Sequence, residues 1–178
     1  MTTETTTLQL RTDLAIGLRR AVVGDIPDIA RVYEHAVLNS TATFDTEVRT
    51  EDQWKHWLLE HHGDTHPVWI VTLNEQMVGW CSLSPPYRYA ALHYNAEPMV
   101  YLAPAGQRKG LGPALLMFLE DEARRLGYHN LLCRVCAELK VVIRLLERVG
   151  FKRVGLIEQG ARKFDRWLDV VVLQKLLE

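Results

Sequence analysis

Six consecutive residues, Gln107-Arg108-Lys109-Gly110-Leu111-Gly112, carry the plainest chemical signal in the chain. An apolar, β-prone run precedes them and a helical apolar stripe follows, so they form a turn between a strand and a helix N-terminus. Gly110 and Gly112 let backbone approach a ligand closely. The amides of residues 108–112 point outward from an uncapped helix start, which favours an anion. Arg108 and Lys109 add positive charge, while Pro113 contributes no donor, so the residues before it must supply the nest. A pyrophosphate fits this chemistry. The Rossmann fingerprint needs a third glycine in register and the Walker loop needs Gly-Lys followed by Ser or Thr, and neither pattern is present.

Three other clusters could do chemistry. Pro85, Pro86, Tyr87, Arg88 and Tyr89 make a stiff aromatic loop that either lines a site or lies on a sheet. His56, His61, His62 and His66 are close enough in sequence to suggest a metal site, but Gly63 and Pro67 break the helix there and no third positioned carboxylate accompanies them. Solvated helix-end histidines are the expectation, and no metal is. Cys133 and Cys136 have C-x-x-C spacing, yet an odd separation on a strand puts the thiols on opposite faces, and zinc would need two further ligands.

The elements that must position these groups follow from periodicity. Residues 1–14 read as a disordered leader and 15–178 as a single domain. A first strand covers 16–20. Asp25 and Pro27 open a helix that ends near Asn39, with Asp25 as its cap, and a second helix covers 51–61 with Trp54, Trp57 and Leu58 inside. Strands at 68–73 and 77–83 make a hairpin, the central strand covers 99–102, and its helix runs from Leu111 to Gly127. A strand at 130–135, a helix at 138–149 and strands at 152–158 and 168–173 complete the order, the last two joined by a connection over 160–167. The fold class is α/β (α+β).

The chain has 178 residues, 48% of them hydrophobic and 24% charged, with a formal net charge of -1. That balance suits one globular domain with a sizeable core and argues against nucleic acid or an anionic membrane as partner. No apolar run reaches membrane-spanning length, the Thr-rich N-terminus is unlike a signal peptide, and three cysteines suit a reducing compartment, so the cytoplasm is expected.

Strand, Gln-x-x-Gly-x-Gly loop and helix together resemble the coenzyme A site of the Gcn5-related N-acetyltransferase family, and the element order extends the likeness over nearly the whole chain. His35-Ala-Val-Leu-Asn-Ser-Thr-Ala-Thr-Phe44, Ala96-Glu97, the loop at 107–112 and Lys163-Phe-Asp-Arg-Trp-Leu-Asp169 narrow it to the phosphinothricin and methionine sulfoximine N-acetyltransferase branch. The resemblance implies a mixed sheet of about seven strands, splayed at the middle, with about four helices. It implies acetyl-CoA held by Val100, Tyr101 and Leu102 and by Gln107, Arg108, Lys109, Gly110, Leu111, Gly112 and Pro113. The N–H near Tyr101 or Leu102 would polarise the thioester. Glu97 takes the place of the branch's general base. A small-molecule amine acceptor, amino-acid-like, would be bordered by Arg88, Tyr87, Tyr89, His93 and Phe44, with Arg88 as the carboxylate clamp. A homodimer is also implied, and the apolar strand at 170–173 is either part of an interface or sheet interior.

The chain departs from the family in two places. Leu139 and Leu146 stand where many members have an asparagine on the cofactor and some have a tyrosine acid, and the loop at 86–94 lacks at least one arginine of the branch. Leu139 and Leu146 support a rival reading, a non-catalytic acetyl-CoA-binding sensor of the same fold, while retention of Glu97 supports the enzyme; the missing arginine leaves the amino-acid acceptor as what the resemblance implies.

Overall fold

Two tight reversals set up most of the sheet. In the computed structural model, which describes residues 5–9, 15–61, 65–87 and 89–177, Asn74 and Glu75 both take positive φ (49° and 66°), as do Phe164 and Asp165 (51° and 58°). Two successive left-handed residues match the right-handed twist of flanking strands. The first pair joins β3 (Val68–Leu73) to β4 (Gln76–Ser84) and the second joins β7 (Lys152–Lys163) to β8 (Arg166–Leu176). The remaining strands are β1 (Thr5–Gln9), β2 (Ala15–Arg20), β5 (Asn95–Leu102) and β6 (Asn130–Cys136). All eight share one sheet in the order β1-β2-β3-β4-β5-β6-β8-β7.

Among the described residues, four α-helices cover the sheet: α1 (Ile26–Asn39), α2 (Glu51–Glu60), α3 (Leu111–Arg125) and α4 (Lys140–Arg148). Ile29, Val37 and Trp54 of α1 and α2 pack on Ile70 and Trp80 on one face. Leu115, Leu119, Ile143 and Leu146 of α3 and α4 pack on Trp69, Val71, Cys81 and Leu83 on the other. With both faces covered, Val68-Trp69-Ile70-Val71 is buried without alternation. No helix among the described residues is long and apolar enough to cross a membrane.

Local chemistry sets several boundaries. Thr50 caps α2 reciprocally with Gln53: Gln53 N–H donates to Thr50 Oγ1 (3.3 Å) and Thr50 N–H to Gln53 Oε1 (2.8 Å). Gly127, at φ 80°, ends α3 as the spacing predicts.

Several expectations are corrected. Part of the expected leader is strand: β1 pairs antiparallel with β2 from Thr5 opposite Arg19 to Gln9 opposite Ala15. Asp25 does not cap α1 with its side chain; its carboxylate instead takes both Arg19 nitrogens (2.7 and 2.6 Å) and Val22 N–H (2.8 Å), a charged partner being the stronger attraction. The connection expected over 160–167 is mostly strand, because β7 and β8 run on to the Phe164-Asp165 turn, with a bulge where Gln159 N–H bonds Asp169 Oδ1 at 2.8 Å. Of the two places open to the strand at 170–173, interface or interior, it takes the interior: β8 lies between β6 and β7, and Val170, Val171 and Leu173 are buried.

Candidate active site

The site begins where the sheet forks. β5 and β6 are parallel neighbours at Asn95 opposite Asn130 and Ala96 opposite Leu131, and then they part. The joined end is fastened by Tyr94 C=O, which accepts from His129 N–H (2.9 Å) and Asn130 N–H (3.2 Å), and by Asn130 Nδ2 donating to Asn95 Oδ1 (2.6 Å). Beyond Ala96, β5 remains paired on its other side with β4, from Ser84 opposite Glu97 to Gly79 opposite Leu102. One edge of β5 is therefore free along the fork.

Strand alternation identifies which groups line that edge. Ala103 N–H donates to Val78 C=O (2.9 Å), so the backbone polar groups of residues 97, 99, 101 and 103 face β4, and those of 98, 100 and 102 face the fork. Pro98 has no N–H, which leaves Val100 and Leu102 as the free donors. The expected donor near Tyr101 or Leu102 is thus Leu102, with Val100. Tyr101 turns its backbone to β4 and packs its ring 4.8 Å from both Trp80 and Tyr33. Leu102 C=O is taken by Gln107 Nε2 at 2.9 Å, which ties the turn to the strand.

At the open end of the fork the turn is wound left-handed at Arg108 (φ 59°) and Gly110 (φ 78°), and α3 starts at Leu111 with no side-chain cap. Nothing lies within 4 Å of where a Gly110 Cβ would stand, whereas one on Gly112 would meet Leu145 Cδ2 at 3.2 Å. An uncapped fifteen-residue helix, two left-handed residues and open space beside Gly110 suit a pyrophosphate, and the free edge of β5 suits an amide-bearing arm. The residues present fit coenzyme A. Leu139 is the N-cap of α4 and contributes no side-chain hydrogen bond, and Leu146 is core, 3% exposed.

Glu97 is the first residue past the point where the strands part. It is the third residue of the eight-residue β5, and its carboxylate crosses to β6. Oε1 accepts Arg134 N–H at 3.3 Å and Oε2 the Arg134 guanidinium Nη2 at 2.5 Å. The carboxylate in turn holds the Arg134 guanidinium above its usual pKa. Arg134 was not singled out from sequence, because its partner lies 37 positions away.

On the same face of β5 as Glu97, a polar and aromatic cluster packs on α1, α2 and the residues between them. Tyr33 Oη donates to Asp45 Oδ2 (2.9 Å) and lies 2.6 Å from Thr43 Oγ1, and Arg49 Nη2 reaches the same Asp45 oxygen (2.9 Å). Burial pushes the Tyr33 phenol up to about 12 and the Tyr101 phenol well above its usual value, so both stay protonated. Lys163, 4% exposed, reaches from the end of β7 to Thr43 C=O (2.9 Å), with Phe164 beneath its amine. Burial lowers its pKa.

His61 departs from the solvated reading. It follows α2, is 7% exposed, and uses both ring nitrogens: Nδ1 bonds Trp57 C=O (2.8 Å) and Nε2 bonds Ser84 Oγ (2.9 Å). Since a carbonyl only accepts, Nδ1 carries the proton and Ser84 donates. Burial lowers the pKa to about 4. Neither nitrogen is available to a metal. His56 sits on the surface 3.4 Å from Glu60, and His62 lies outside the described residues. Cys81, Cys133 and Cys136 are buried free thiols, and burial raises the first two; such thiols are inert.

The acceptor residues expected from sequence divide. Tyr87 lies in the surroundings of Arg134, while Tyr89 is 76% exposed. His93 bonds Ala90 C=O and stacks on Tyr94 at 3.9 Å, contacts within its own turn. Phe44 is half-buried beside Thr43, and Arg88 lies outside the described residues.

Known proteins share this fold and much of this sequence. The chain is 32% identical over 161 residues to an L-methionine sulfoximine/L-methionine sulfone acetyltransferase of Salmonella typhimurium, covering 90% of this chain and 94% of that one. It is 29% identical over 163 residues to an L-amino acid N-acyltransferase of Escherichia coli, covering 92% and 95%. The solved structure of a phosphinothricin acetyltransferase from Sinorhizobium meliloti in complex with acetyl-CoA superposes with a TM-score of 0.85 at 27% identity, over 91% of this chain and 88% of that one. Residues 29–151 match the acetyltransferase (GNAT) family as a whole. With its forked sheet, its free β5 edge and its glycine turn at the start of α3, the chain belongs to the acetyltransferase (GNAT) family.

Proposed function

We propose that this protein is an acetyl-CoA-dependent N-acetyltransferase acting on the amine of a small amino-acid-like molecule of the methionine sulfoximine and phosphinothricin type. The observation that carries the reading is the free β5 edge, which runs from a carboxylate at the closed end of the fork to an anion nest at the open end. Acetyl-CoA supplies the thioester whose acetyl carbon an amine attacks. The turn at 107–112 holds phosphate, with Gln107 bracing it and Arg108 and Lys109 adding charge. Val100 and Leu102 present the free N–H groups that orient and polarise a carbonyl in the fork.

An amine attacks only when neutral, and most amines are ammonium ions near pH 7, so a group in the fork must take a proton. Glu97 does so. Two donors from Arg134 fix its carboxylate, which has lone pairs left to accept the ammonium proton. Homologues named as amino-acid acyltransferases support catalysis over the sensor reading. Coenzyme A release with acetyl-CoA and a panel of amino acids, sulfoximines, phosphinic acids and polyamines tests it; release with none of them overturns it.

The same reading includes a homodimer, a single domain that takes in β1 together with the elements from residue 15 onward, and a cytoplasmic location. β7 is an edge strand whose Val154, Leu156 and Ile157 are half or more exposed, with Trp167 of β8 at 60%. An uncovered apolar edge of this length calls for a partner, and a second copy offers an equal one. Three free cysteines support the reducing compartment.

A further inference from the structure

The Glu97–Arg134 pair presents opposite charges side by side at the fork, and the two are unequally used. The Glu97 side chain is 15% exposed and the Arg134 side chain 46%. Among the described residues, only Nη2 of the guanidinium has an acceptor, and that acceptor is Glu97. Nε and Nη1 remain donors without a described partner. Among the described residues, the other cations near this cluster are committed: Lys163 is buried on Thr43 C=O, and Arg49 bonds Asp45 and lies over the Tyr33 and Trp54 rings.

An α-amino acid carries its ammonium and its carboxylate on one carbon. Whatever places its ammonium on Glu97 brings its carboxylate close by, at the guanidinium beside it. We propose that Arg134 reads the α-carboxylate of the acceptor while Glu97 takes its ammonium, so that the pair recognises a zwitterion and selects α-amino acids over plain amines. This rests on Glu97 as the base and names the acceptor class of that site. The pair needs no large rearrangement, since the planar fork of an arginine can hold a second carboxylate with the nitrogens that the first leaves free. Amines without the carboxylate would leave the exposed side of Arg134 to water and gain nothing from it.

The test uses Arg134→Gln and Arg134→Lys in the full chain, with L-methionine sulfone and its decarboxylated counterpart 3-(methylsulfonyl)propylamine, alongside a panel of L-amino acids each paired with its own amine. Steady-state kinetics with acetyl-CoA are run beside calorimetric titration of each acceptor into protein saturated with coenzyme A, which needs no turnover. Arg134→Gln should raise KM and Kd for the amino acid about 10- to 100-fold and change those for the amine by less than about twofold; Arg134→Lys should fall between parent and Gln variant. Equal losses for both acceptors would reduce Arg134 to a positioning residue for Glu97 and overturn the proposal. A parent enzyme that uses amines as well as amino acids would overturn it too. Glu97→Gln, run in parallel, separates the two claims: normal turnover in that variant removes the base, while a selective KM effect at Arg134 still shows carboxylate reading.

Discussion

Glu97 and Arg134 meet across the opening between β5 and β6, the carboxylate taking both the backbone N–H and the guanidinium of the same residue. The contact bridges the two strands at the first position where their own ladder has ended. A carboxylate so placed has fixed geometry and stands beside the free edge where a carbonyl would lie.

Glu97→Gln keeps shape and one acceptor but cannot take a proton. Turnover near pH 7 should fall about 10²-fold with acetyl-CoA affinity nearly unchanged, and the deficit should narrow at high pH, where the acceptor amine is already neutral. A pH series of kcat with calorimetry for the cofactor checks it; parent-like turnover at every pH would return Glu97 to a structural tie.

Gly110→Val places a β-branched side chain at φ 78°, in the left-handed region, and fills the space beside the turn. Gly112→Val presses on Leu145 of α4 and pushes on the first turn of α3. Each should weaken acetyl-CoA binding by at least about tenfold in a protein that still melts cooperatively. Calorimetric titration decides it, and unchanged affinity in either folded variant would remove that glycine from the phosphate nest.

His61 makes stability depend on pH. Its pKa is near 6.5 unfolded and about 4 folded. The unfolded chain therefore binds more protons between those values, and the stability held above pH 6.5 drains away as pH falls toward 4, by about 3 kcal/mol at most. Burial is the first cause; the hydrogen bond to Trp57 C=O and nearby Glu60 oppose it, while His66 and Arg49 act with it. Urea midpoints from pH 7 to 4 should fall more steeply for the parent than for His61→Gln, which has no proton to gain; parallel curves would place the acid sensitivity elsewhere.

Leu156→Glu puts a charge on the exposed edge strand β7, where Leu156 is 56% exposed. Light scattering should give the parent twice the mass of its chain and the variant a single chain, with little change in melting temperature. A monomeric parent would overturn the dimer.

Much of this molecule is local, and the sequence by itself determined that part. The apolar stripes of α1 and α3, the hairpin turn at Asn74 and Glu75, the glycine turn before Leu111 and the stop at Gly127 each depend on residues a few positions apart, whose spacing and backbone preferences are written in the chain. The tertiary structure alone decided which edge of β5 is free, because that depends on β4 taking the polar groups of Tyr101 and leaving those of Val100 and Leu102. It decided that His61 is buried, since only the packing of α2 against β4 brings Ser84 to its ring. It also gave Glu97 its partner: Arg134 is 37 residues away, and no local pattern marks a charge pair that exists only because two parallel strands join at Ala96 and part immediately after it.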